Sequence, residues 1–139
     1  MTYPGQCHCG SIGYAYETSR HPSTWSVRAC QCTFCRAHGA LTTSDPGGSV
    51  AFRLDDAARL VRYRFGLRTA DFLICARCGV YIGSVIRTPR GRRGIVNIHA
   101  MRPVPPDLAQ PQPMSYEGET EEQRTVRREA RWTPVIGDI

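Results

Sequence analysis

The sequence predicts a mainly β fold with one helix near the C-terminus. Short stretches of alternating apolar and polar residues recur between turn residues, which is typical of strands. One stretch differs: Thr120 and Gln123 form a capping box at the start of a helix, and Pro134 ends it. Thirteen glycines, ten prolines and an apolar fraction of 41% indicate that something besides apolar burial stabilises the fold.

The clearest strand covers residues 11–17, where period-two alternation places Ile12, Tyr14 and Tyr16 on one face. A proline-rich stretch, residues 103–113, is predicted to be extended and to form neither a central strand nor a helix. Residues 36–40 are predicted to form a turn or a single helical turn that glycine ends. The same patterning predicts further strands at residues 25–29, 49–54, 59–65, 72–74, 80–86 and 95–101.

Seven cysteines fall into two groups by their spacing. Cys30, Cys32 and Cys35 follow a C-x-C-x-x-C pattern, and the other four form two close pairs, Cys7 with Cys9 and Cys75 with Cys78. Four thiolates close a structural zinc site, whereas three leave one position of a tetrahedral ion for an outside ligand. The sequence therefore predicts two zinc ions, one structural and one catalytic.

Two alternatives to the catalytic triad stay open at this point. His38, three residues after Cys35, could close the triad and make it a second structural site. The three thiols could instead act as a redox cluster that loses zinc on oxidation. An open fourth position would favour an enzyme, and closure by a side chain would favour a non-catalytic zinc module.

The location of the chain follows from what its sequence lacks. No basic segment followed by an apolar run stands at the N-terminus, so we expect no export signal and a cytoplasmic protein. In that reducing compartment, clustered cysteines are metal ligands or catalytic groups more often than disulfides. No apolar run approaches the ~18 residues of a membrane span, so we expect no membrane partner.

Arginine supplies all 18 basic residues, and the formal net charge is +6. Two zinc ions held by seven thiolates would reduce this charge to about +3. Helical spacing places Arg124, Arg127, Arg128 and Arg131 on one basic face. Because no aromatic residues interleave them, a solvated face with glutamate partners one turn away is favoured over a nucleic-acid-binding face.

A catalytic zinc site needs a group that moves a proton, and His38 is the first candidate because of its position near Cys35. His99 is the second candidate, and Asn97 would orient the substrate or close a strand end. For an anionic ligand of that site, Arg36 beside Cys35 is a predicted contact. The loop that carries Arg90, Arg92 and Arg93 is another predicted contact.

Four motifs, in this order, resemble those of the glutathione-dependent formaldehyde-activating enzyme family, which shares its domain with the centromere protein V group. They are Gly-x-Cys-His-Cys-Gly from Gly5, Cys-x-Cys-x-x-Cys-Arg from Cys30, Phe-x-x-Cys-x-x-Cys-Gly from Phe72, and Val96-Asn97. The resemblance implies an Mss4-like fold, in which strands form a tent over zinc knuckles. It also implies that the four paired cysteines hold the structural zinc and that Cys30, Cys32 and Cys35 hold the catalytic one.

The function that the resemblance implies is a zinc-dependent carbon–sulfur lyase acting on thiol–aldehyde adducts of the S-hydroxymethylglutathione type. The alternative is a non-catalytic zinc module that binds nucleic acid or protein. Ala37 stands where the family often carries a second arginine, which predicts weaker glutathione binding than the family pattern would give. We expect residues 1–118 to form the zinc-binding domain and residues 119–139, the helix and tail, to pack on it.

Overall fold

The computed structural model describes all 139 residues, which form a mainly β fold with two α-helices. The helices are α1 (Thr33–His38) and α2 (Glu121–Arg131), and neither has the length and apolar content that crossing a bilayer requires. The strands are β1 (Thr2–Gln6), β2 (Ile12–Glu17), β3 (Arg28–Cys30), β4 (Thr42–Thr43), β5 (Ser49–Leu54), β6 (Leu60–Tyr63), β7 (Asp71–Cys75), β8 (Tyr81–Thr88), β9 (Gly91–Asn97), β10 (Gln112–Met114) and β11 (Thr133–Pro134).

Two sheets build the molecule. The smaller has the order β1-β2-β5, and the larger has the order β10-β3-β4-β9-β8-β7-β6, with β11 also paired to β9. All neighbours are antiparallel except β10 and β3, which run parallel. Apolar side chains from both sheets meet in one main core. This architecture confirms the predicted Mss4-like β-tent.

The period-two alternation of β2 determines which of its side chains enter the core. Ile12, Tyr14 and Tyr16 are all buried, as predicted, and the Tyr16 ring packs edge-on against Trp25 with 5.5 Å between ring centroids. The strands predicted at 49–54, 72–74 and 80–86 correspond to β5, β7 and β8. The predicted zinc-knuckle sequence, Cys75 to Gly79, occupies the turn between β7 and β8.

Several strands differ from the prediction; those expected at 25–29 and 59–65 are the shorter β3 and β6. Strand β1 was not predicted because Pro4 and Gly5 resemble a turn, yet an edge strand tolerates a proline whose missing N–H faces away from its neighbour. The strand predicted at 95–101 ends at Asn97, whose side chain accepts a hydrogen bond from the His99 N–H and starts a 3₁₀ turn. The predicted basic loop shrinks to a tight turn at Pro89 and Arg90, so Arg92 and Arg93 lie within β9.

Helix α2 begins with the capping box predicted from the sequence, in which Thr120 and Gln123 exchange side-chain-to-backbone hydrogen bonds. Trp132 directly follows the helix and packs with Ala70, Ile86 and Ile95 in a small second core. Strand β11 then pairs with β9. That residues 119–139 are an addition to a domain formed by residues 1–118 stays our proposal, and these contacts support it.

Candidate active site

The four paired cysteines meet in one cluster. Cys7 and Cys9 lie in the turn between β1 and β2, Cys75 ends β7, and Cys78 lies in the following turn. Their sulfur atoms all lie within 4.8 Å of one another. The Cys9 sulfur is 3.7 Å from that of Cys7 and 3.6 Å from that of Cys75. The cluster thus joins a hairpin of the small sheet to a hairpin of the large one.

The geometry of this cluster fits a tetrahedral metal ion. Zinc–sulfur bonds of about 2.3 Å at tetrahedral angles place the sulfurs about 3.8 Å apart, close to the separations found here. The backbone N–H groups of Arg77 and Cys78 donate to the Cys75 sulfur at 3.4 Å, and that of Ile12 donates to Cys7 at 3.5 Å. Such donors stabilise thiolates, and all seven cysteines of the chain are free of disulfides.

Differences in burial and hydrogen bonding separate the pKa of Cys7 from that of Cys9. Burial raises the pKa of the Cys7 thiol to about 11. Hydrogen bonds from Ser11, whose hydroxyl lies 3.1 Å from the Cys9 sulfur, lower the pKa of Cys9 to about 6. Cys9 therefore becomes a thiolate more readily than Cys7.

Cys30, Cys32 and Cys35 form the second cluster, called here the triad. Cys30 ends β3, Cys32 is the N-cap of α1, and Cys35 lies within that helix. The helix thus begins inside the motif rather than at residue 36, and it ends at Gly39, where φ is +59°. All three sulfurs lie within 4.8 Å of one another, and no histidine or carboxylate joins them.

Hydrogen bonding within the triad separates the pKa of Cys30 from that of Cys35. The Cys35 thiol donates to Cys30, which lowers the pKa of Cys30 to about 5 and, together with burial, raises that of Cys35. The Cys35 N–H also donates to the Cys32 sulfur at 3.4 Å. The set is thus compatible with a metal ion, whose binding releases the remaining thiol protons.

The triad faces a cavity of about 400 Å³. Helix α2 and the segment before it contribute lining residues, and so do β3 and the first turn of α1. Phe65, Phe72, Tyr81, Ile95 and Trp132 supply apolar walls. Apolar walls lower the local dielectric constant, so charges inside this cavity interact more strongly than on the open surface.

Four arginines also line the cavity: Arg28, Arg124, Arg127 and Arg128. Arg28 and Arg128 are each only 8% exposed. The predicted solvated helix face is therefore wrong for Arg128, whose guanidinium lies 4.9 Å from the centre of the Trp132 ring. Arg131, by contrast, is exposed as predicted.

Glu119, just before α2, holds two of these arginines. Its carboxylate accepts two hydrogen bonds from Arg127, at 2.8 and 3.0 Å, and one from Arg124 at 3.3 Å. The pKa of Glu119 is lowered, mainly by the hydrogen bond from Arg127. The Arg127 guanidinium also stacks 3.5 Å from the centre of the Tyr116 ring.

The side chains predicted to act in catalysis lie outside the cavity lining. His38 packs against Phe34, with 4.5 Å between ring centroids, on the exposed side of α1. His99 is exposed, and buried Asn97 donates from Nδ2 to the Tyr81 carbonyl at 2.9 Å. Arg36 is exposed on α1. The functional roles of these four residues stay predictions.

Arg90, Arg92 and Arg93 do not reach the triad cavity. Arg90 occupies the exposed turn after β8, and Arg92 approaches the carboxylate of Asp138 at 3.6 Å. Sequence reasoning missed Arg28, although a signal existed. Arg28 and Cys30 stand two residues apart on one strand, and such residues share a face.

Comparison with known proteins agrees with this geometry. The chain matches the family described as "Glutathione-dependent formaldehyde-activating enzyme" over residues 2–118, a range that ends before α2. It is similar to a Rhodobacter sphaeroides protein of known crystal structure, with 30% sequence identity and a TM-score of 0.61, over 80% of this chain and 99% of that one. None of the curated proteins matches it. The chain belongs to the glutathione-dependent formaldehyde-activating enzyme family.

Proposed function

We propose that this protein is a zinc-dependent carbon–sulfur lyase acting on adducts of a small thiol and an aldehyde, of the S-hydroxymethylglutathione type. The observation that carries the proposal is a three-cysteine cluster that opens onto a 400 Å³ cavity and has no fourth protein ligand. The triad would hold the catalytic zinc. The four-cysteine cluster would hold the structural zinc, and seven free cysteines suit a cytoplasmic location.

Zinc held by three thiolates would supply a free coordination position that suits a sulfur ligand at neutral pH. The side chains of the cavity would do the rest. Phe65, Phe72 and Tyr81 would enclose the reacting groups and exclude water. The Tyr81 hydroxyl hydrogen-bonds to Ser84 at 2.7 Å, which fixes the ring that forms this wall.

The proposed reaction balances without an oxidant or reductant. In the breakdown direction the carbon–sulfur bond breaks, its electron pair stays on sulfur, and the adduct hydroxyl loses a proton as the carbonyl forms. That proton ends on the thiol. We propose that His38 moves it through water, because His38 lies three residues after Cys35 on α1 and packs beside Tyr81 but stands outside the cavity lining.

Asn97 and His99 are proposed to support this site from the end of β9. Asn97 binds the backbone carbonyl of Tyr81, so it is suited to position the cavity wall. Arg36 is proposed to attract an anionic thiol from solution, because it is exposed beside Cys35. The open side of the triad counts against the alternative of a closed, non-catalytic zinc module.

An exchange experiment tests the proposed function. Exchange NMR measures how fast formaldehyde moves between its hydrate and its adduct with glutathione, mercaptopropionate or mercaptopropanol. Zinc-loaded protein should accelerate the exchange of at least one adduct, and Cys32→Ser should abolish the acceleration while the protein stays folded. Rates equal to those in buffer for every thiol would refute the proposal.

A further inference from the structure

The two buried guanidinium groups of the cavity have no acidic partner. Arg28 hydrogen-bonds only to the hydroxyls of Ser26 and Ser44. Arg128 donates from Nη1 to the Thr69 hydroxyl at 2.8 Å, and its Nε has no hydrogen-bond partner. Neither side chain takes part in an ion pair within the chain, although each is only 8% exposed.

The other two arginines of the cavity, Arg124 and Arg127, do have an acidic partner. Glu119 neutralises part of the charge on Arg124 and Arg127 through three hydrogen bonds. Glu117, the other carboxylate near the cavity, is exposed and has no arginine partner. A buried charge without a counterion is costly for folding, which is why charged side chains are almost never fully buried unless they are paired.

The unpaired charges lie close to the triad. Arg28 and Cys30 share one face of β3, and two residues of a strand span about 7 Å. Arg128, on α2, lines the same cavity. A molecule whose sulfur meets the triad could therefore place an anionic group a few bonds away between the two guanidiniums.

We propose that Arg28 and Arg128 bind a carboxylate of the substrate, which is therefore a short thiol adduct that carries a carboxylate. This inference rests on the proposed lyase function. A guanidinium matches a planar carboxylate through two parallel N–H donors. The apolar walls, including Phe72, Ile95 and Trp132, suit the carbon chain between sulfur and carboxylate. Arg128 belongs to α2, outside the residues that match the family.

Calorimetric titration of zinc-loaded protein tests the inference, with mercaptopropionate and mercaptopropanol as a pair of similar length that differ in charge. The carboxylated thiol should bind at least tenfold more tightly. Arg28→Met and Arg128→Met should each remove most of that difference and leave mercaptopropanol affinity and zinc content unchanged. Arg131→Met, in the same helix but exposed, is the matched control and should behave like the wild type.

The outcomes separate this inference from the proposed function. Equal binding of both thiols to the wild type would overturn the carboxylate site and leave the lyase proposal intact, whatever the variants do. If neither thiol binds but the S-methyl ether of mercaptopropionate binds and loses affinity in Arg128→Met, the carboxylate site stands and the thiol chemistry fails. Displacement of mercaptopropionate by inorganic phosphate at lower concentrations than by propionate would overturn the choice of a carboxylate.

Discussion

Replacing Arg128 by methionine should make the ligand-free protein more stable. Methionine keeps most of the side-chain length but removes a buried charge that no carboxylate compensates. Burial lowers the pKa of Arg128 to about 10, against an ordinary value of about 12.5. Each tenfold change in proton affinity corresponds to about 1.4 kcal/mol, so holding this charge in the fold costs roughly 3 kcal/mol at neutral pH.

Two losses offset that gain. The hydrogen bond to Thr69 contributes about 1 kcal/mol, and half-exposed Thr69 can bond to water instead. The stacking of the guanidinium on Trp132 contributes about another 1 kcal/mol. The net expectation is a stabilisation of about 1 kcal/mol, or roughly 3 °C in melting temperature for a chain of this size.

Urea unfolding of zinc-loaded wild type, Arg128→Met and Arg131→Met at neutral pH provides the measurement. Arg131→Met should stay within about 0.5 kcal/mol of the wild type, as is usual for an exposed position. The sign of the charge effect also predicts that the difference in free energy of unfolding between Arg128→Met and the wild type becomes smaller at alkaline pH. The pKa of Arg128 is lower in the folded state than in the unfolded state. The destabilisation caused by its buried charge is therefore fully present below pH about 10 and is lost as the pH rises above that value. A destabilisation of Arg128→Met by more than about 1 kcal/mol would refute this reasoning.

Three other predictions concern the metal clusters and the proposed proton carrier. Cys75→Ser should unfold the protein, because a structural zinc contributes on the order of 10 kcal/mol and a domain has only about 5–15 kcal/mol of net stability. Cys32→Ser should leave a cooperative melting transition, and similar melting curves for both variants would contradict the assignment of the four-cysteine cluster as structural and the triad as catalytic. Graded chelation, followed by metal analysis and circular dichroism, should remove one zinc early with the fold intact, whereas simultaneous loss of both metals with unfolding would argue against two distinct sites. His38→Asn should slow adduct exchange at least tenfold with unchanged zinc content and thiol affinity, and an unchanged exchange rate would exclude His38 as the proton carrier.

The sequence predicted the cysteine grouping and most strands because both are encoded locally. Cysteines two or three residues apart occupy one turn, so Cys30, Cys32 and Cys35 had to lie together, and the two remaining pairs could close one site. Period-two burial identified the core face of β2 for the same reason. Strand β1 was missed because its proline and glycine have turn character, and only pairing with β2 makes it a strand.

The arginines of the cavity could not be placed in this way. Helical spacing showed that Arg124, Arg127 and Arg128 share a face of α2, but the side of the helix that meets the protein depends on distant contacts. Trp132 sets that orientation when it packs beside Ile86 and Ile95, residues far away in the chain. The position of Glu119 then decides which arginines are neutralised. Charge alone therefore suggested a solvated face where the structure has a cavity wall.

Structural and proposed catalytic parts occupy different regions of the molecule. The four-cysteine cluster links a hairpin of the small sheet to the β7–β8 hairpin, and both hairpins lie within the residues that match the family. The triad stands on β3 and α1, but α2, from outside that match, supplies one wall of its cavity. A change in α2 can therefore alter which thiol the cavity accepts without disturbing either cysteine cluster. We therefore expect residue 128 to determine the selectivity for the substrate's charge. A positive side chain at this position should favour binding of a carboxylate, and a neutral one should remove that preference.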